Sequence, residues 1–353
     1  MTIASNSTVL SDTVREAFAP TVTYLNAAGY GLMPTAALRA VESAERGRAS
    51  GEFDIVDVDA TVRACRAAFG ELVGLRTDQV AVGAQVSQLI GLIAQSLPPG
   101  AQVLVGEHEF TSVSWPFLAR DDLRVRIVPM AELAASVLPQ DDVVAVAVVQ
   151  SADGYVVDVP ALTAAAHAND ARVLLDVSQA AGWLPVRDTG ADWIVSVGFK
   201  WLLGPKGTAF LAGTDTALAT LRPIAAGWYA GDDPWQTCYD APLRLATDAR
   251  RFDVSPVWPA WLGQLPALEL LLGVGIENIR RHNIALANRL RAGLVLPEGN
   301  SAIVSIPVAP ETLERLRAAR VVGAVRAGRL RLGCHLYNTE ADIDRALNVL
   351  TDH

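Results

Sequence analysis

"DWIVSVGFKWLLGPKG", residues 192–207, carries both lysines of a 353-residue chain, Lys200 and Lys206; the other 27 basic side chains are arginine. The segment opens on the apolar run "WIVSVG", turns through glycine and proline, and leads into a second apolar run, "GTAFLAG". Short apolar runs bounded by such turns read as strands buried on both faces. The same unit recurs upstream in "DQVAVGA", "AQVLVGE", "LRVRIVPM", "DVVAVAVVQ" and "ARVLLDVSQ". Between these runs, "QVSQLIGLIAQSL", "VSWPFLARD" and "VPALTAAAHAND" show helical spacing, as do residues 35–70 ahead of them. Strands alternating with helices predict an α/β fold whose large domain, residues 35–250, is built on a mostly parallel sheet with helices on both faces. A loop-rich stretch around "WYAGDDPWQTCYDAPLRLATDARRFD" follows. Residues 251–353 then read as a long helix, broken near Gly273–Gly275, leading into a small α+β C-terminal domain.

Bulk composition narrows the function. A net charge of −9 argues against a phosphate-backbone partner, so no nucleic acid is expected. Cys65, Cys238 and Cys334 lie far apart, which predicts neither a disulfide framework nor a metal site and fits a reducing cytoplasm. The start, "MTIASNSTVLSD", lacks the basic and apolar regions of a signal peptide, and no apolar run is long enough to span a membrane.

Three local patterns carry chemistry. Lys200 sits between Phe199 and Trp201, beside surface that favours burial. Desolvation lowers a lysine's pKa and frees its amine to attack a carbonyl; a solvated surface lysine is the alternative. Lys206, between proline and glycine, suits an exposed or phosphate-facing charge. Upstream, Asp176 ends the run "VLLD", and Gln179 follows three residues later. A carboxylate there either caps a following helix or meets a cation, such as a protonated pyridine nitrogen. Gly83 and Ala84–Gln85–Val86 form a strand-to-helix turn whose amides suit a phosphate. Neither a Gly-x-Gly-x-x-Gly nor a P-loop pattern occurs.

The ordered set Asp-x-x-Gln, then "KWLLGPKG", resembles the class V aminotransferase family of fold type I pyridoxal-phosphate enzymes, among them cysteine desulfurases, isopenicillin N epimerase-like proteins and kynureninases. The resemblance extends through "YLNAAGYGLMP", "HEFTSVSWP", "GWYAG", "RRFDVSPVWPAW" and "RLGCHLYNTEADID". It implies pyridoxal 5'-phosphate as cofactor, with Lys200 as its covalent anchor, Asp176 on the ring nitrogen and Gln179 on the phenolic oxygen. Phe110 would stack on the ring, with plain core packing as the alternative. Ala84, Gln85 and Val86 would meet the phosphate, joined by Trp228 and Ser255 from a second subunit of a homodimer. Arg331 matches the arginine that clamps a substrate α-carboxylate, its alternative being a surface arginine on an edge strand. Asn26 and Ala28 would line the substrate pocket, within an N-terminal segment, 1–34, shared by the small domain and the site.

Some positions depart from the family pattern. Phe199 stands where histidine is common, Val197 where a phosphate-binding serine is common, and Ser151 where asparagine is common. Ser196, one step from Val197, is a candidate substitute. Cysteine desulfurases carry a reactive cysteine ahead of the carboxylate arginine, and residues 305–330 contain none. Cys334, after Arg331, reads as a packed thiol. The resemblance therefore points to an amino-acid substrate and a cysteine-independent C–S lyase. An aminotransferase, an epimerase and a silent ligand-binding relative are the alternatives.

Overall fold

The computed structural model describes residues 12–351. Residues 1–11, with most of the polar start, and residues 352–353 lie outside the described residues. The chain enters through α1 (Asp12–Glu16), β1 (Thr23–Tyr24), α2 (Thr35–Ser50) and α3 (Ile55–Val73). The apolar runs then form β2 (Val80–Gly83), β3 (Gln102–Gly106), β4 (Arg124–Val128), β5 (Val143–Ala147), β6 (Arg172–Asp176), β7 (Trp193–Val197) and β8 (Ala209–Gly213). Between and after them lie α4 (Val86–Ser96), α5 (Thr111–Leu118), α6 (Val159–His167) and α7 (Asp215–Leu218). The seven strands form one sheet in the order β2-β8-β7-β6-β5-β3-β4, with β8 alone antiparallel to its neighbours.

Alternation along each strand distributes its side chains to two cores. On β7, Ile194 packs into the cluster that holds Phe69, Leu162 and Trp261, while Val195 and Val197 join Val86, Ile90 and Phe117 on the other face. Helices therefore cover both faces, as the continuous apolar runs require. The helical spacing over 35–70 resolves into α2 and α3, separated at Gly51–Asp54.

After β8 the chain runs through α8 (Trp258–Val274), α9 (Ile276–Gly293), β9 (Ile303–Ile306), α10 (Pro310–Ala318), β10 (Val321–Val322), β11 (Ala324–Arg326), β12 (Arg329–Gly333) and α11 (Glu340–Thr351). Helices α8 and α9 meet at 83°, at Gly275, whose φ of +85° a side chain would disfavour. Among the described residues no single helix is long and apolar enough to cross a membrane, although this bent pair passes by length and composition. Strands β11, β12 and β9 form a small antiparallel sheet; Leu286, Leu316 and Ile343, from α9, α10 and α11, share one core with Val304 and Leu332. The two-residue strands β1 and β10 pair in parallel, and no sequence pattern marks segments so short.

A buried ion pair ties α3 to the sheet and to the segment ahead of α8. Arg66 forks onto the Asp253 carboxylate, donating from Nη1 to Oδ1 (3.1 Å) and from Nη2 to Oδ2. Arg66 also donates to the Val80 carbonyl, and the Val82 N–H donates to Asp253 Oδ1, each at 2.8 Å. Removing one member of a buried pair strands the other charge. Asp253→Ala is expected to lower unfolding free energy by about 3–5 kcal/mol in urea titrations. Glu277→Gln, at an exposed pair with Arg280, is expected to change it by less than about 1 kcal/mol.

Candidate active site

Lys200 projects from a closed turn that follows β7. The turn is shut by the Leu203 N–H on the Lys200 carbonyl (3.2 Å) and the Gly204 N–H on the Gly198 carbonyl (2.8 Å). Trp201, Leu202 and Leu203 are fully buried, so the apolar flanks act as the anchor for the amine. From the N-terminal segment, the Gly31 N–H donates to the Phe199 carbonyl at 2.9 Å. A Cβ on Gly31 would lie 2.0 Å from the Lys200 carbonyl oxygen, so only glycine permits this approach. Burial pulls the Lys200 ammonium down to about 8; Asp176 opposes the shift, while Arg331 and Arg326 add to it. Its Nζ lies 5.0 Å from the centre of the Phe110 ring. Lys206 is exposed, near the Phe199 ring.

Asp176 ends β6 and is buried, with its Oδ1 accepting the Ser178 N–H at 2.8 Å. The residues after it form turns, so Asp176 caps no α-helix. Burial pushes its carboxyl up, and the Lys200 charge holds it back. Among the described residues Lys200 forms no ion pair, so cation and anion share a cleft without meeting. Gln179 is locked by three partners. Its Oε1 accepts the Trp201 indole N–H (2.7 Å), and its Nε2 donates to the Ala28 carbonyl (2.9 Å) and to Ser151 Oγ (3.2 Å). The bond expected from Gln179 to a phenolic oxygen would displace one of those two acceptors. Ser151 Oγ also accepts from Arg331 Nη1 at 2.8 Å, which leaves its own proton as the uncommitted donor.

Arg331, on β12, is 1% exposed, which removes the surface-arginine alternative. Its Nη1 also donates to the Ser151 carbonyl at 2.5 Å, while its Nε has no partner. No carboxylate among the described residues pairs with it. Burial and Arg326 draw its pKa down to about 10, so it remains a cation at neutral pH. Asn26 places a buried, unpartnered Oδ1 on the adjoining segment, bridged to Gly333. Phe110 is 42% exposed, so core packing does not account for it.

One half-buried acid was not singled out from the sequence. Glu109 accepts from the Ala147 and Phe110 N–H groups at 2.8 Å and from Gln150 Nε2 at 3.2 Å, and burial pushes it up to about 7. It fixes Phe110 to the end of β5, whose Ala147 is the register partner of Asp176. As a lone acid in "EHEF" it gave no signal, because only the packing of that loop onto β5 brings it to Ala147 and Gln150.

Ala84 and Gln85 lead into α4, which starts at Val86, and the Ala84 N–H donates to Gln88 Oε1 at 3.4 Å. Gln85 is its N-cap and makes no side-chain capping bond, so the first-turn amides keep their affinity for an anion. Ser196 does not reach them. Val195 and Val197 face α4, so Ser196 points to the other side of the sheet; it is fully buried and donates to the Val197 carbonyl. Trp228 packs on Tyr229, Trp235 and Trp258, and Ser255 is exposed. No hydrogen bond or ring contact among the described residues links either to the Lys200 cluster.

A depressed amine, a buried carboxylate facing it, uncapped helix amides and a guanidinium with no carboxylate partner fit pyridoxal 5'-phosphate. The amine reacts only when neutral, so covalent capture of the cofactor is expected to accelerate through a midpoint near pH 8. Borohydride trapping with peptide mass spectrometry reads this directly, since Lys200 and Lys206 are the chain's only lysines. Asp176→Asn removes the charge that raises the Lys200 pKa and is expected to move the midpoint to lower pH.

The chain is similar to known proteins over most of its length. The uncharacterised aminotransferase YcbU of Bacillus subtilis is 28% identical over 306 residues, covering 79% of this chain and 80% of the relative. Isopenicillin N epimerase of Streptomyces clavuligerus is 26% identical over 387 residues, covering 94% and 96%. A solved structure of the cystine C–S lyase C-DES with cysteine persulfide superposes with a TM-score of 0.84 at 23% identity, covering 94% of this chain and 98% of that one. The Aminotransferase class-V family matches residues 56–312. With most of its length in that match, the chain belongs to the class-V aminotransferase family and takes pyridoxal 5'-phosphate as its cofactor.

Proposed function

We propose that this enzyme acts at Cα of an amino acid and cleaves a carbon–sulfur bond by β-elimination. The observation that carries the reading is a partly neutral lysine beside a buried guanidinium that has no carboxylate of its own. Arg331 binds the substrate α-carboxylate through its uncommitted donors, a charge-assisted contact. Lys200, with a pKa near 8, takes the Cα proton at neutral pH and returns one later. Asp176 keeps a proton on the ring nitrogen, and Phe110 covers the amine and excludes water. The bound cofactor supplies an electron-withdrawing ring that accepts the electrons released at Cα. The Cα–H and Cβ–S bonds break, the thiol leaves with a proton, and the remaining 2-aminoacrylate reacts with water to give pyruvate and ammonium.

Sulfur leaves with the product in this scheme, without transfer to the protein. Neither β11 nor β12 carries a cysteine, and Cys334 is buried, its thiol pushed up to about 12 by desolvation. The likeness of the fold to a cystine C–S lyase supports the same choice. Ser151 is the proposed donor to the phenolic oxygen. A homodimer is part of the proposal, with Trp228 and Ser255 of the partner subunit completing the phosphate site. The exposed apolar side chains Trp115 and Leu118, three positions apart on α5, give such a partner a face to cover. An epimerase or aminotransferase is the second reading, favoured by the names of the relatives YcbU and isopenicillin N epimerase.

With an S-alkyl cysteine, holoenzyme is expected to release thiol, pyruvate and ammonium in equal amounts without added 2-oxo acid; with its sulfoxide the sulfur product is the sulfenic acid. Lys200→Ala should abolish release, and Cys334→Ser should retain it. Turnover that requires a 2-oxo acid, or that yields only the D-isomer, would refute the lyase assignment. Arg331→Ala is expected to weaken substrate binding by about 2–5 kcal/mol, thirty-fold or more, in KM measurements.

A further inference from the structure

The hairpin that delivers Arg331 carries more positive charge than an α-carboxylate requires. Its register pairs Ala324 with Arg331 and Arg326 with Arg329, and β9 sets Ser305 opposite Arg331. Cross-strand partners share a face, as do residues two apart on one strand. Arg326, Arg329 and Arg331 therefore stand on one face, the face on which Arg331 meets Ser151. Their environments grade outward from the cleft. Arg331 is buried and keeps an unpartnered Nε. Arg329 is half-buried and bound to Ser305, donating from Nε to Oγ (3.2 Å) and from Nη2 to the carbonyl (2.9 Å). Arg326 is exposed, and its one hydrogen bond among the described residues goes from Nη1 to the Val325 carbonyl at 2.8 Å.

No carboxylate among the described residues pairs with any of the three, although the chain has 38 acidic against 29 basic side chains. Elsewhere Arg46, Arg66, Arg120, Arg126 and Arg289 all have acidic partners. Like charges on one sheet face repel unless an anion lies between them. The Arg326 charge reaches the site, since it opposes protonation of both Lys200 and Arg331. One carboxylate on Arg331 leaves Arg326 unneutralised at the outer end of the same face.

We propose that Arg326 forms a distal anion subsite, so that the substrate is a dianionic amino acid. Its α-carboxylate lies on Arg331, and a second carboxylate or sulfonate, at the far end of the side chain, lies on Arg326. Placing sulfur inside that side chain rests on the lyase reading; the two-anion spacing does not. Arg329, tied to Ser305, is a positioning residue that keeps the hairpin arginines in line.

Two isosteric probes test the subsite: S-(2-carboxyethyl)-L-cysteine and its neutral counterpart, S-(2-carbamoylethyl)-L-cysteine. Binding to the holoenzyme is read by titrating the cofactor's absorbance, and thiol release is measured separately. The carboxylate probe is expected to bind at least ten-fold tighter, with the preference shrinking as salt is raised. Arg326→Ala should bring the ratio close to one, and Arg326→Lys should restore part of it. Arg124→Ala, which removes an exposed charge on β4, should keep the full preference. Equal binding of the two probes by wild type, or a preference that survives Arg326→Ala, would overturn the subsite. Selective binding without thiol release would instead sink the lyase reading and leave the subsite standing.

Discussion

Desolvation of Lys200 is the constraint on which the rest of this site depends. An ammonium in water holds its proton too firmly to react at neutral pH, whereas one beside buried surface gives it up far more readily. The surface comes from the residues that follow it, Trp201, Leu202 and Leu203, which bury themselves and leave the amine at the cleft. Asp176 limits the shift, since without a nearby anion the lysine would lose its proton still earlier. The carboxylate is itself costly to bury and is tolerated because Lys200 faces it and Ser178 donates to it. Each charge thus makes the other's burial tolerable while both remain open to a ligand.

The polar network around that pair acts as a frame. Trp201 fixes the Gln179 amide, Gln179 holds Ala28 and Ser151, and Ser151 holds Arg331. Buried networks of this kind are rigid when their bonds are satisfied, and their gaps mark where a ligand belongs. The gaps here are Arg331 Nε and Asn26 Oδ1. His335 supports the frame from behind: Nδ1 accepts the Leu336 N–H, so Nε2 carries the proton and donates to the Trp201 carbonyl. Its ring stays neutral because it is wholly buried.

The parallel sheet explains why these parts converge. Asp176 ends β6, Lys200 follows the C-terminal end of the neighbouring β7, and Ala147 ends the next strand over. Open α/β sheets place their ligand clefts at that edge, because the connecting loops there are free of the ladder and can turn toward one another. The N-terminal segment and the β11–β12 hairpin close the cleft from the far side, bringing Asn26, Gly31 and Arg331 to it.

Much of this was determined by the chain's linear order. Continuous apolar runs gave the strands, helical spacing gave the helices, and the scarcity of lysine made Lys200 conspicuous, because all of these are properties of near neighbours. Asp176, Gln179 and Arg331 stood out as candidates because their order along the chain resembles the family pattern. Only the tertiary structure decided which partners they keep: Gln179's amide is committed to Ala28, Ser151 and Trp201, Ser196 faces away from α4, and Glu109 accepts from Ala147 and Gln150. Those outcomes depend on which face a strand turns inward and on contacts between residues far apart in the chain, as Ser151 and Arg331 are at 180 positions. Hydrophobic periodicity reports burial along one element, whereas hydrogen-bond satisfaction is a property of the whole packed chain.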